Sequence, residues 1–179
     1  RLPALDPRGG RHVVRTADDA ARLRAGVRSG ARAVVVGGGF IGCETASTLQ
    51  SLGCEVTVVE PLPVPMVRGV GRDVGRSLLE HHRATGAGFV TGQGVADLVG
   101  DDGRVSGVLL DDGSVLPADL VVESVGSHAN VEWLEHNDLD LSDGLLCDNH
   151  LRVEGLPGVV AVGDVARFPN PRYDDVPRR

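Results

Sequence analysis

The chain has 179 residues, is 41% hydrophobic but only 3% aromatic, and carries a formal net charge of −7. That length supports one domain with a real core plus an appendage. The acidic balance and the shortage of rings exclude a nucleic-acid footprint, which needs a basic face and stacking platforms. No apolar run approaches the ~18–20 residues of a membrane span, and no signal peptide precedes the first expected strand. The three cysteines, Cys43, Cys54 and Cys147, are widely spaced with no C-x-x-C. That pattern argues against a disulfide framework, a zinc site or a dithiol centre, and points to a reducing, cytoplasmic compartment.

In chain order, residues 1–12 read as an irregular lead-in rich in Pro, Gly and Arg, and Val13–Arg15 as a short strand. Thr16 is placed to cap a helix from Ala17 to Val27, with Asp18 and Asp19 in the first turn where negative charge suits the dipole. Val34–Val36 is a continuous β-branched apolar run of the kind buried on both faces in a parallel sheet. A glycine turn follows, then a helix to Leu52 with Ala46, Leu49 and Ile41 as its inward stripe. Cys54–Glu60 is a second strand. The prolines within 61–71 interrupt regular structure. A helix over Asp73–Ala84, with Val74, Leu78 and Leu79 inward, leads to a third strand, Gly88–Thr91. This alternation is the βαβαβ unit of a Rossmann-like α/β fold.

Two Asp-Asp-Gly turns, at Asp101–Gly103 and Asp111–Gly113, separate three short runs and predict a β-meander crossover. Ala118–Gly126 returns to a buried strand and a glycine loop. A short helix over Val131–His136 carries Trp133, read as a packing anchor. Strands follow at Leu145–Asp148 and Val159–Val162, and residues 169–179 have the composition of a fraying tail.

Gly37, Gly39 and Gly42 fall in the G-x-G-x-x-G spacing between strand and helix. The first glycine permits the tight turn, the second lets backbone approach a pyrophosphate, and the third lets helix pack on strand. Phosphates would sit at the helix N-terminus, where free N–H groups and the dipole favour an anion. Glu60 ends the second strand, about 20 residues further on, where a carboxylate accepts hydrogen bonds from ribose hydroxyls and repels a 2′-phosphate; NAD is favoured over NADP. Glu44, by position alone, is an acid that complements the dipole. Cys43 is read as a small buried hydrophobe. His81 and His82 are read as cations suited to a helix C-terminus.

The succession VVVGGGFIGCE, VTVVE, an acidic meander, LPADLVVESVGSHAN and GVVAVGDVARF resembles the FAD-dependent pyridine-nucleotide oxidoreductases. The specific likeness is to the ferredoxin and rubredoxin reductases that feed oxygenases, the putidaredoxin-reductase-like family. The resemblance covers nearly all the chain from Val13. It implies an NAD(H)-binding domain over 16–147, with 1–15 leading in from an FAD domain and 148–179 leading back into it. It also implies that Gly37, Gly39, Phe40, Ile41 and Gly42 form the pyrophosphate turn, that Glu44 reaches the nicotinamide end, and that Glu60 binds ribose. Gly126 then belongs to the loop on the nicotinamide side, Arg68 to the arginine position after the ribose acid, and Asp164 to the aspartate that meets the ribityl chain of FAD.

Two departures stand out. Ala129 occupies the place of a proline before Asn130, and Val64 that of an arginine four residues after the ribose acid. The function the resemblance implies is an NADH-binding portion of a flavoprotein reductase, with FAD as second cofactor and a ferredoxin or rubredoxin as electron acceptor. Two alternatives are a nucleotide-binding module without turnover and part of a disulfide reductase of the same superfamily. No catalytic side chain or metal ligand is singled out.

Overall fold

The structure, a computed structural model, describes residues 9–172 and 174–178; residues 1–8 of the expected lead-in, and Tyr173 and Arg179 of the expected tail, lie outside the described residues. The chain divides into two compact units, 1–126 and 127–179.

The first unit is built on a five-stranded sheet. Its strands are β1 (Arg11–Val13), β2 (Arg32–Val36), β3 (Glu55–Glu60), β4 (Gly88–Thr91) and β8 (Leu120–Glu123), in the spatial order β1-β8-β2-β3-β4. All neighbours are parallel. Helix α1 (Ala17–Gly26) joins β1 to β2, α2 (Phe40–Ser51) joins β2 to β3, and α3 (Val67–Ala84) joins β3 to β4. A meander of β5 (Val95–Asp101), β6 (Arg104–Leu110) and β7 (Val115–Pro117) crosses over from β4 to β8. The α/β fold is therefore Rossmann-like, as the sequence predicts.

The period of two along the strands explains how both faces are covered. Ala33 and Val35 of β2 point to one side and pack with Leu23 of α1 and with Ala46 and Leu49 of α2. Val34 and Val36 point to the other, where Leu98, Val105, Val108 and Leu110 of the meander cover them. The meander thus serves as the second layer, in the place where a doubly wound fold puts helices.

Local chemistry accounts for the helix boundaries. Thr16 caps α1 in a reciprocal box: its hydroxyl accepts from the Asp19 N–H at 3.1 Å while the Asp19 carboxylate accepts from the Thr16 N–H at 2.9 Å. Helix α3 opens at Val67 with a turn not expected from sequence, after Met66 in a left-handed conformation (φ 53°). Gly71 (φ 79°, ψ 174°) then breaks the helix into a single turn and a longer second part.

Two inward assignments and one charge assignment are corrected. Ile41, in the first turn of α2, is 51% exposed; Val74 is 51% exposed because the helix approaches its neighbour through Gly75 instead. A Cβ at Gly75 would meet the Pro65 carbonyl oxygen at 2.6 Å, so that close approach fixes which side of α3 faces in. His82 is buried against Phe89, with ring centroids 5.5 Å apart, and burial, with His81 beside it, holds its pKa below the ordinary imidazole value. Its ring is packed and its charged form disfavoured, contrary to the cationic reading.

The second unit has a small sheet in the order β11 (Asp174–Arg178), β10 (Ala166–Asn170), β9 (Leu145–Leu146). The expected tail thus forms strands, since β10 and β11 pair antiparallel. Conversely, Val159–Val162 forms only an isolated bridge, between Val160 and Arg152, with Val160 and Val162 exposed. The helix around Trp133 shrinks to a 3-10 turn, Glu132–Leu134, and Trp133 is 74% exposed rather than a packing anchor. Leu134 takes the interior position beside Leu145, Cys147 and Ala166.

Candidate functional site

At the carboxyl ends of the parallel strands of the first unit lies a cavity of about 460 Å³. Its wall runs from Ser124–Gly126 after β8, through Gly37 and Gly39 after β2, to Glu60–Leu62 after β3 and Gln93–Val95 after β4. The volume is that of a small-molecule site, and the place is the topological switch point between β8 and β2, where open α/β sheets bind ligands.

The glycine turn is built by close approaches. Gly37 has φ +101°, and a Cβ there would meet the Ser124 carbonyl oxygen at 2.3 Å. A Cβ at Gly42 would stand 2.0 Å from the Gly37 carbonyl oxygen, so α2 can rest on the turn only through a glycine. Gly39 differs: nothing lies within 4 Å of its Cβ position. It is also the N-cap of α2, which has no side-chain cap bond and no acid in the first turn. The N–H groups of that first turn are therefore left for an anion in the open space beside Gly39.

Glu60 is 8% exposed yet lines the cavity. One carboxylate oxygen accepts from the Gly38 N–H at 2.7 Å and the other from the Leu62 N–H at 2.9 Å. Gly38 is held at both ends, because its carbonyl accepts from the Met66 N–H at 2.9 Å. This network joins the glycine turn, the acid and the start of α3 into one frame. Behind it the Cys43 thiol reaches the same Gly38 carbonyl at 3.5 Å. Burial and the nearby Glu60 push that thiol's pKa up to about 11, outweighing the helix N-terminus, and Cys43 stays a neutral buried group as expected.

Of the residues singled out from sequence, Gly37, Gly39, Phe40, Glu60, Arg68 and Gly126 line this cavity. Phe40, 56% exposed, stands against Gly69, where a Cβ would come within 2.8 Å of its ring. Arg68 is exposed on the single helical turn between Met66 and Gly71. Ile41, Gly42 and Glu44 follow on α2, with Glu44 exposed and its side chain outside the cavity wall. Asp164 belongs to the second unit, exposed on the 3-10 turn Gly163–Val165. Val64, in the arginine position, is buried and packs where Gly75 approaches.

Sequence reasoning missed Gly38, Leu62, Gly69, Gln93 and Gly94. The alternating Pro61, Pro63 and Pro65 held a signal: they leave Leu62 and Val64 as the only N–H donors of that stretch, and Leu62 supplies one to Glu60.

The sequence profile described as pyridine nucleotide-disulphide oxidoreductase matches residues 2–178, and the chain belongs to that family. The ferredoxin–NAD(+) reductase component of the p-cumate 2,3-dioxygenase system of Pseudomonas putida is 38% identical over 159 residues, which is 89% of this chain and 38% of that protein. The ferredoxin reductase for the CYP199A2 system from Rhodopseudomonas palustris superposes with a TM-score of 0.86 at 34% identity, over 94% of this chain and 41% of that one. Putidaredoxin reductase in its covalent complex with putidaredoxin gives a TM-score of 0.86 at 31% identity, over 95% of this chain and 41% of that one. The resemblance to ferredoxin reductases drawn from the motifs is borne out. The chain spans about two fifths of the length of the curated relatives it matches. Among the described residues no helix is long and apolar enough to cross a membrane.

Proposed function

We propose that the chain is the NADH-binding portion of a flavoprotein reductase that uses NAD(H) and FAD to deliver electrons to a ferredoxin or rubredoxin. The observation that carries this reading is Glu60. Its carboxylate is buried at the cavity wall and pinned by two backbone N–H groups beside the open position at Gly39. A carboxylate so held accepts from ribose hydroxyls and disfavours a 2′-phosphate.

The residues present fit the dinucleotide. The first turn of α2 and the open face of Gly39 hold the pyrophosphate; Arg68 meets the cavity from the exposed turn; Ser124–Gly126 bounds the nicotinamide side; Glu44 is assigned to the nicotinamide end. A bound flavin supplies the conversion between a two-electron donor and a one-electron acceptor, and the protein's part is orientation and electrostatics. Asp164 is the residue of this chain assigned to FAD. In this reading the NAD(H) domain is 16–147 and 148–179 leads back toward the FAD domain; the division between compact units at Gly126 falls inside the first of these. A cytoplasmic location accords with three cysteines that are all free and buried.

The test is thermal. NADH at about a hundred times its dissociation constant stabilises a binding protein by about 2.7 kcal/mol, a rise in Tm of several degrees. A purified chain whose Tm is unmoved by millimolar NADH would overturn the proposal.

A further inference from the structure

The acidic turn between β6 and β7 folds back onto the cavity wall. Asp111 accepts from the Gly94 N–H at 3.1 Å through its side chain and donates its own N–H to the Gly94 carbonyl at 3.1 Å. The neighbouring Asp112 accepts from the side-chain Nε2 of Gln93 at 3.2 Å. Gln93 and Gly94 both line the cavity, next to the strand end that carries Glu60: Thr91 pairs in register with Glu60, and the Gly92 N–H donates to the Glu60 carbonyl at 2.9 Å. An aspartate pair that sequence explains as turn formers is thus also a brace for one end of the site.

The brace decides the chemistry Gln93 presents. An amide side chain has a donor end and an acceptor end, and an ionised carboxylate accepts only. Asp112 is kept ionised by the Ser114 hydroxyl at 2.7 Å and the Ser114 N–H at 2.9 Å, which hold its carboxyl below the usual range. Nε2 must therefore face Asp112, and Oε1 is directed away from it. Glu60 fixes the neighbouring ribose in the reading proposed above, so the base attached to that ribose lies against Gln93–Val95.

We infer that Gln93 is a specificity-determining residue of this cavity, its Oε1 accepting a hydrogen bond from the exocyclic amine of adenine and so selecting an aminopurine over an oxopurine. The inference rests on the NADH reading, and it goes further by naming the residue and the atom that reads the base. A purine with a carbonyl in place of the amine sets acceptor against acceptor. The bond from Nε2 to Asp112 opposes the turn of the amide that would relieve the conflict.

The experiment is a calorimetric titration of the chain with NADH and with nicotinamide hypoxanthine dinucleotide, its 6-oxo counterpart. The expected result is binding of NADH tighter by about tenfold, the scale of one good hydrogen bond exchanged for an unsatisfied one. Gln93→Leu brings the ratio to near one, with Tm confirming the fold. Asp112→Ala keeps the glutamine but frees its amide to turn, and it also lowers the ratio. Equal binding of the two dinucleotides by the unaltered chain overturns the role of Gln93 and leaves the NADH reading standing. An unchanged preference in Gln93→Leu overturns it likewise, and an unchanged preference in Asp112→Ala overturns the brace. Failure of both dinucleotides to bind overturns the NADH reading, and this inference with it.

Discussion

The N–H of Gly38, in the middle of the glycine turn, donates to the Glu60 carboxylate at 2.7 Å across the ends of two neighbouring strands. The acid is therefore a structural member of the turn as well as a candidate ligand group. Glu60→Ala leaves the N–H groups of Gly38 and Leu62 without their partner in a buried place, at a cost of about 1–3 kcal/mol for each that water fails to reach. A loss of about 2–4 kcal/mol in the free energy of denaturant unfolding is the expected outcome; a loss below about 0.5 kcal/mol would show that the bond contributes little.

The two outer glycines of the turn and the one between them should respond to alanine in opposite ways. Gly42→Ala drives a methyl to 2.0 Å from the Gly37 carbonyl oxygen, so α2 must shift and the fold loses several kcal/mol. Gly39→Ala meets open space, so Tm changes little while the phosphate approach is blocked and NADH affinity falls by about tenfold or more. Melting and binding measured on the same samples check the contrast. A Gly39→Ala chain that binds NADH normally would place the phosphates elsewhere.

The three thiols should be silent. Cys43, Cys54 and Cys147 are all buried, and burial raises the pKa of each, to about 11 for Cys43. The thiolate is the reactive form, so alkylation at pH 8 should be slow in the folded chain and complete within minutes in denaturant. Rapid modification of one thiol in the folded chain would contradict the packing described.

Asp119 links the start of β2 to the approach to β8, accepting from the Arg32 backbone N–H at 2.9 Å and from its guanidinium at 2.7 Å. These bonds hold its pKa down to about 2, against an ordinary value of 3.8. A depressed carboxyl contributes stability that is present above the ordinary pKa and is lost as pH falls from about 4 toward 2. The pair is half exposed, so the contribution is below about 1 kcal/mol. Asp119→Asn should be slightly less stable than the unaltered chain at pH 7 and equal to it near pH 2; a gap that persists at pH 2 would assign the effect to something other than ionisation.

Much of this was legible in the sequence for definite reasons. Val34–Val36 and Val56–Glu60 declare a buried parallel pair, and Gly37 and Gly42 occupy positions the backbone needs, while Gly39 leaves open space beside the helix start. The Asp-Asp-Gly turns announce the meander. Less legible were features that depend on contacts between distant segments. Nothing local tells that the meander covers the sheet face of Val34 and Val36, or that Asp112 reaches Gln93. Val74 reads as inward from periodicity, yet Gly75 decides the contact because only it allows Val64 and Pro65 to come close. Val159–Val162 has the composition of a strand, but pairing partners make strands, and a single bridge to Arg152 is what it finds. Trp133 shows the same limit: its indole N–H donates to the Asn130 carbonyl at 3.1 Å while the ring stays exposed.

The central claim, that Glu60 makes this cavity a site for NADH, is tested most directly by the ratio of NADH to NADPH dissociation constants in the unaltered chain and in Glu60→Ala. The account predicts a preference for NADH of about tenfold or more that falls toward one in the variant, because removing the carboxylate weakens ribose binding and relieves repulsion of the 2′-phosphate. An unchanged ratio in Glu60→Ala, or a preference for NADPH in the unaltered chain, would contradict it.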